Sequence, residues 1–204
     1  MLDAADLECA RGGRTLFRGL SLALRPGDLV RVAGDNGRGK TSLLRILCGL
    51  LTPDAGTVAW RGEPVRRLGE EFAKELVYLG HAPAVKDDLT AAENLRVALR
   101  LSGRVLPDKA LQEALRQFGV PEGRPVGRMS QGQRRRAALA RLAVSDAPLW
   151  LLDEPLAALD APAAALVESL VEAHAARGGM TVVTTHQASR LSFSRTVDLD
   201  AAHA

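Results

Sequence analysis

Aromatic side chains are scarce in this chain. Its 204 residues hold one tyrosine, two tryptophans and four phenylalanines. Single strands of nucleic acid are held largely by stacking bases on aromatic rings, so this composition offers no such platform. Cysteine is scarcer still: Cys9 and Cys48 are far apart and lack metal-ligand spacing. They read as reduced, buried small hydrophobes, not as a disulfide or a zinc site. No stretch approaches the ~20 apolar residues of a membrane span. The opening Met1–Asp6 has no basic and apolar leader pattern, so the expected location is the cytosol. No block of like charge appears either. The net charge is +3, with arginine supplying most of the 27 basic residues. A mildly basic surface is compatible with nucleic acid or an anionic membrane face and establishes neither.

What remains is 47% hydrophobic and 25% charged, the profile of one globular domain or a core with a small lobe. The feature that organises it is Gly34-Asp35-Asn36-Gly37-Arg38-Gly39-Lys40-Thr41, followed by Ser42. This is the phosphate-loop spacing G-x-x-x-x-G-K-[ST]. Leu29–Ala33 before it reads as a buried strand, and 41–50 after it as a helix. Glycines let successive N–H groups turn inward on an anion, and the helix N-terminus adds partial positive charge. Lys40 then reaches the β- and γ-phosphates, and the Thr41 hydroxyl binds Mg²⁺.

Along the chain, 7–10, 20–24, 57–60, 76–80, 149–153, 180–185 and 196–199 read as strands. From Thr90 to Phe118 the pattern is helical, with Thr90 and Glu93 as a capping box and Pro107 as a break. Leu95, Leu99, Leu111, Leu115 and Phe118 suggest a small separate core. Arg134–Val144 reads as one helix with Ser130 at the N-cap, and Ala163–Arg177 as another. The expected architecture is α/β. It has a P-loop NTPase core with a RecA-like mixed sheet and an antiparallel β subdomain (1–85 and 146–204), plus an inserted helical lobe (86–145). The whole forms a single nucleotide-binding domain, 1–204.

The apolar run Leu149–Leu152 ends in Asp153 and Glu154. A carboxylate at a strand end beside a phosphate loop holds Mg²⁺ directly or through water. Glu154 is the candidate general base, a role typically worth ~10²–10⁴-fold in rate. Ser130-Gln131-Gly132-Gln133 offers a hydroxyl, a backbone N–H and an amide to an anion at a helix start. Leu159-Asp160 follows Glu154 closely, and His186 ends a strand.

Taken in order, these stretches resemble the nucleotide-binding subunits of ABC transporters. That family carries a phosphate loop, a Gln loop, an L-S-G-G-Q-like signature, a D-E-P run, an A-L-D loop and a switch His. Here they fall at Gly34–Thr41, His81, Met129–Gln133, Leu149–Pro155, Ala158–Asp160 and His186. The resemblance implies a head-to-tail homodimer sandwiching two ATP molecules. Lys40 of one copy and Ser130, Gln131, Gly132, Gln133 and Asp160 of the other serve each ATP. Glu154 is then the catalytic base and His186 the γ-phosphate contact.

Three positions depart from the family. His81 replaces the Gln that helps bind Mg²⁺; imidazole is a poor Mg²⁺ ligand beside oxygen, so a metal role for His81 is disfavoured while a coupling role stays open. Gln131 replaces a glycine. Arg11 stands near the place of the adenine-stacking aromatic, and a guanidinium plane stacks on bases.

Local stretches such as Leu79-Gly80-His81, Leu89–Leu95 and Thr184-Thr185-His186-Gln187 are similar to one subfamily, the ATP-binding subunits of the cytochrome c biogenesis haem exporter. This implies ATP and Mg²⁺ as cofactors and membrane-embedded partner subunits of a cytochrome c maturation complex. It also implies a peripheral place on the cytoplasmic face of the bacterial inner membrane, with ATP hydrolysis releasing haem-loaded chaperone. A transporter ATPase for another cargo remains open. So does a non-transport ATPase acting on nucleic acid or ribosomes, although no nucleic-acid partner is expected, because the chain lacks the second ATPase unit or long arms of that class.

Overall fold

The computed structural model describes residues 1–200. Two sheets divide the work. β1 (Leu2–Arg11) and β2 (Arg14–Leu24) form an antiparallel hairpin, and β4 (Ala55–Trp60) with β5 (Glu63–Pro64) extends it in the order β2-β1-β4-β5. The second sheet is parallel throughout, in the order β6 (Leu76–Leu79), β7 (Leu149–Asp153), β8 (Met180–Thr184), β3 (Leu29–Ala33), β9 (Arg195–Asp198). The core sheet, anticipated as mixed, pairs only in parallel among the described residues, and the antiparallel strand pairings form the β subdomain that was expected beside it.

β7 and β8 are buried at every residue. That is why they read as unbroken apolar or β-branched runs, as strands covered on both faces do. Alternation splits their side chains between two cores. Leu149, Leu151, Met180 and Val182 join the antiparallel sheet and α1 (Lys40–Leu47). Trp150, Leu152 and Val183 face α7 (Ala161–Ala176) and the helices α4 (Ala91–Leu101), α5 (Asp108–Gln117) and α6 (Gln131–Leu139).

This second core corrects one expectation. Leu95, Leu99, Leu111, Leu115 and Phe118 share a single apolar cluster with Trp150 and Leu152. Among the described residues the apolar cluster therefore runs continuously from the sheet to these helices, and the lobe has no core set apart from it. The helix expected over 134–144 is also divided: α6 ends at Leu139, and Ala140–Val144 tightens into a 3₁₀ segment. Two short helices, α2 (Val65–Leu68) and α3 (Glu70–Lys74), were not foreseen; each is a turn or so long, with too few residues for a periodic signal. The capping boxes at Thr90–Glu93 and Ser130–Gln133 are both formed. Among the described residues no helix is long and apolar enough to cross a membrane.

Candidate nucleotide site

β7, β8 and β3 are neighbours and parallel, so their C-terminal ends emerge side by side. Ligands bind at that edge of parallel α/β sheets. Out of β3 comes the phosphate loop, out of β7 Asp153 and Glu154, out of β8 Thr184, Thr185 and His186. The loop turns at Gly39 with φ 96°, where a β-carbon would also lie 3.0 Å from Leu16 Cβ; both facts favour glycine. The turn leads directly into α1, whose first residue is Lys40. Lys40 is buried, and its Nζ donates to the carbonyls of Gly34 at 2.6 Å and Asp35 at 2.9 Å.

A cleft of about 620 Å³ opens here. Asn36, Gly37, Gly39, Lys40, Thr41 and Ser42 form its loop side; Asp153, Glu154, His186, His81 and Arg11 lie around the rest. Gly34, Asp35 and Arg38 form the outer turn. The Asp35 N–H and the Arg38 guanidinium both engage Asp200, at 3.0 and 2.6 Å. Asp200 gave no sequence signal, since it lies after the last strand and outside every motif.

Asp153 is fixed from two directions. The Thr41 hydroxyl donates to Oδ2 at 2.7 Å and the Thr184 hydroxyl to Oδ1 at 2.8 Å. Glu154 has φ 50°, a left-handed conformation that costs a side-chain-bearing residue of order 1–3 kcal/mol. Its N–H donates to the carbonyl and hydroxyl oxygens of Thr184, at 3.1 and 2.9 Å. Its carboxylate accepts from the His186 main-chain N–H at 3.4 Å, while Oε1, buried and without a donor among the described residues, sits 3.6 Å from His186 Nε2. A carboxylate oxygen held with spare acceptor capacity at the cleft suits proton abstraction.

Arg135 is the residue that motif reading missed. It is 6% exposed, and its guanidinium donates to the carbonyls of Gly80, His81, Asp153 and Glu154 at 2.8, 3.2, 3.0 and 2.7 Å. In sequence it stands in the run Arg134-Arg135-Arg136, and nothing local marks the middle arginine as the buried one. Burial lowers its pKa, and the charges of Asp153 and Glu154 oppose that shift.

The signature stretch does not line the 620 Å³ cleft. Ser130 caps α6, accepting from the Gln133 N–H at 3.3 Å, and Gln133 Oε1 accepts from the Ser130 N–H at 3.0 Å and from Arg124 at 2.8 Å. The Gln133 side chain thus puts its amide oxygen into the cap, while Ser130 is exposed at the surface. Gln131 lines a second cleft of about 350 Å³ with His81, Arg134 and Arg135. Asp160 caps α7 and lies 3.6 Å from Arg136. Arg11 donates to the Ala10 carbonyl at 2.6 Å and lies 3.6 Å from Asp54. Both cysteines are free and buried, and burial pushes the Cys48 thiol up to about 11, as expected of inert thiols.

Comparison with known proteins agrees with this geometry. The family model described as ABC transporter matches residues 17–157. The cytochrome c biogenesis ATP-binding export protein CcmA of Nitrosomonas europaea is 50% identical over 189 residues, 92% of this chain and 89% of that protein. A protein of the same name from Salmonella typhi is 49% identical over 187 residues, 92% of this chain and 90% of its own length. Among solved structures, an ATP-binding protein of an ABC transporter from Pyrococcus furiosus superposes with a TM-score of 0.84 at 21% identity, covering 98% of both chains. A dimeric ATP-binding cassette in a post-hydrolysis state, bound to ADP and Pi, gives 0.77 at 24% identity over 92% of this chain and 88% of its own. At those identities the structures establish the fold. The chain belongs to the ABC transporter family of ATP-binding subunits, in the branch of the cytochrome c biogenesis ATP-binding export proteins. It is an ATP-binding, ATP-hydrolysing subunit of that type.

Proposed function

We propose that this chain supplies the ATP hydrolysis for haem handling in cytochrome c maturation, working against membrane-embedded partner subunits on the cytoplasmic face of the inner membrane. The observation that carries the chemistry is the meeting of Lys40, Thr41, Asp153 and Glu154 at one cleft. Loop N–H groups from Asn36 to Ser42 and the Lys40 ammonium hold the phosphates. Arg11, which also lines the cleft, stacks on the adenine.

Magnesium fits the donors present. The Thr41 hydroxyl and the Asp153 carboxylate are hard oxygen ligands already 2.7 Å apart. Mg²⁺ characteristically takes one or two protein oxygens and leaves its other positions to phosphate and water. When bound it neutralises phosphate charge and orients the terminal group. The exposed imidazole of His81 adds no oxygen, so we assign it to coupling rather than to metal. Glu154 accepts the proton of the attacking water, and His186 contacts the γ-phosphate from the end of β8.

Ser130, which is exposed, and Gly132 stand at the start of α6 and do not line the chain's own cleft. We propose that they, with Gln131, Gln133 and Asp160, meet ATP held by a second copy in a head-to-tail homodimer. Residues 1–85 and 146–204 act as the nucleotide-binding core and 86–145 as the segment that meets the membrane partner.

Glu154→Gln tests the assignment. It should bind MgATP, form a dimer by sedimentation, and lose ~10²–10⁴-fold in turnover. Wild-type turnover by this variant would falsify the catalytic role. Pull-down of the tagged protein from membranes should recover an integral membrane subunit and a haem absorption band. Recovery of a membrane partner without haem points to another cargo.

A further inference from the structure

We infer that Arg135 is a positioning residue for hydrolysis: it holds Glu154 in its left-handed turn and ties that turn to the helix headed by Ser130. The inference rests on the proposed role of Glu154 as general base.

Among the described residues, all four hydrogen-bond partners of the Arg135 guanidinium are main-chain carbonyls. Two belong to the end of β6, at Gly80 and His81, and two to the end of β7, at Asp153 and Glu154. A buried arginine bonded only to carbonyls is costly, because its charge is desolvated with no carboxylate bonded in return. Its Nε is also buried without an acceptor. A lysine or methionine would serve the helix equally well by propensity. What only a guanidinium provides is a flat fork of donors that spans two strand ends at once.

The Glu154 peptide is where this matters most. Its N–H is held by Thr184 and its carbonyl by Arg135, at 2.7 Å. With both ends of the residue clamped, the left-handed φ of 50° persists and the carboxylate is directed at the cleft. Freed of one clamp, the residue is able to relax toward ordinary φ and carry the carboxylate away. Arg135 sits in the second turn of α6, whose N-cap is Ser130. Movement of α6 is thereby passed to Glu154 and to the His81 carbonyl together. In the proposed dimer, seating Ser130 on the partner's ATP sets the Glu154 of the same chain.

The experiment uses full-length Arg135→Lys and Arg135→Met. Each is measured for MgATP affinity, kcat and melting, alone and combined with Glu154→Gln. Arg135→Met should lower kcat at least tenfold with ATP affinity changed less than threefold, and Arg135→Lys should fall between Arg135→Met and wild type. Added to Glu154→Gln, Arg135→Lys should leave the residual rate unchanged, because it acts through a group already removed. If Arg135→Met does not fold, Arg135→Lys and its double variant decide. Wild-type kcat, an affinity loss matching the kcat loss, or a full additive loss on Glu154→Gln each overturns the inference. Glu154→Gln alone separates the two readings. If it is inactive while the Arg135 variants turn over normally, only the positioning role fails; if it is active, the general-base reading fails.

Discussion

The hydroxyl of Thr41 donates to Asp153 Oδ2 at 2.7 Å, joining residues 112 positions apart. Thr184 donates to the other oxygen. Asp153→Asn leaves one carboxamide oxygen for two donors. One donor is then unsatisfied, at a cost of about 1–3 kcal/mol. Thermal melting should show that loss without nucleotide. Nucleotide titration should show that added Mg²⁺ strengthens ATP binding far less than in wild type. Equal Mg²⁺ dependence in both proteins removes Asp153 from the metal site.

Lys40→Ala removes the one ammonium group at the loop. Charge-assisted hydrogen bonds contribute about 1.5–3 kcal/mol each, so ATP affinity should fall by at least ~tenfold and turnover should vanish. Calorimetric titration checks this. The two carbonyls that Lys40 now bonds belong to the same loop, so melting temperature is a second readout of loop order.

Arg11→Ala should weaken ATP by about 0.5–2 kcal/mol, the range of a cation over an aromatic ring. Affinity for inorganic triphosphate should be unchanged, because that ligand has no base. An equal loss for both ligands assigns Arg11 to phosphate attraction instead. Unchanged ATP affinity removes the stacking role.

His174 is buried, stacked on Trp150 at 3.9 Å between centroids, and bonded to Thr181 and the Ala147 carbonyl. Burial lowers its pKa from 6.5, and nearby Arg177 adds to that direction. The unfolded chain then binds a proton that the folded chain refuses. Stability contributed by neutral His174 is present above pH 6.5 and is lost as pH falls from there toward the lowered folded value, at no more than ~1.4 kcal/mol per pH unit. Melting from pH 7 to 5 should fall more steeply for wild type than for His174→Gln.

A β-carbon on Gly179 would overlap the His174 ring. Gly179→Ala should destabilise by about 1–3 kcal/mol through overpacking. The penalty should shrink when His174 is itself reduced to alanine. Additive melting losses in the double variant place the strain elsewhere.

Much of the site was legible because its chemistry is local in sequence. The phosphate loop needs glycines at fixed offsets from Lys40, and those offsets survive into the fold with Gly39 at positive φ. Ser130 and Thr90 read as caps because a cap is a four-residue event, and both formed. Helix ends were less legible. α6 stops at Leu139 although propensity carries on through Val144, and the tightened segment is the one that packs against α4, α5 and α7.

The sequence by itself determined the strand–loop–helix around Gly34–Lys40, the carboxylate pair at the end of an apolar strand and the histidine after a β-branched one. Each depends on neighbours a few residues away. Tertiary structure alone decided that one core serves both helices and sheet, that Asp200 braces the outer turn of the loop, and that the middle of three arginines lies under Glu154. Those arrangements depend on which strand ends lie side by side in space, and the order β6-β7-β8-β3 is a property of the folded sheet that no short stretch of chain encodes.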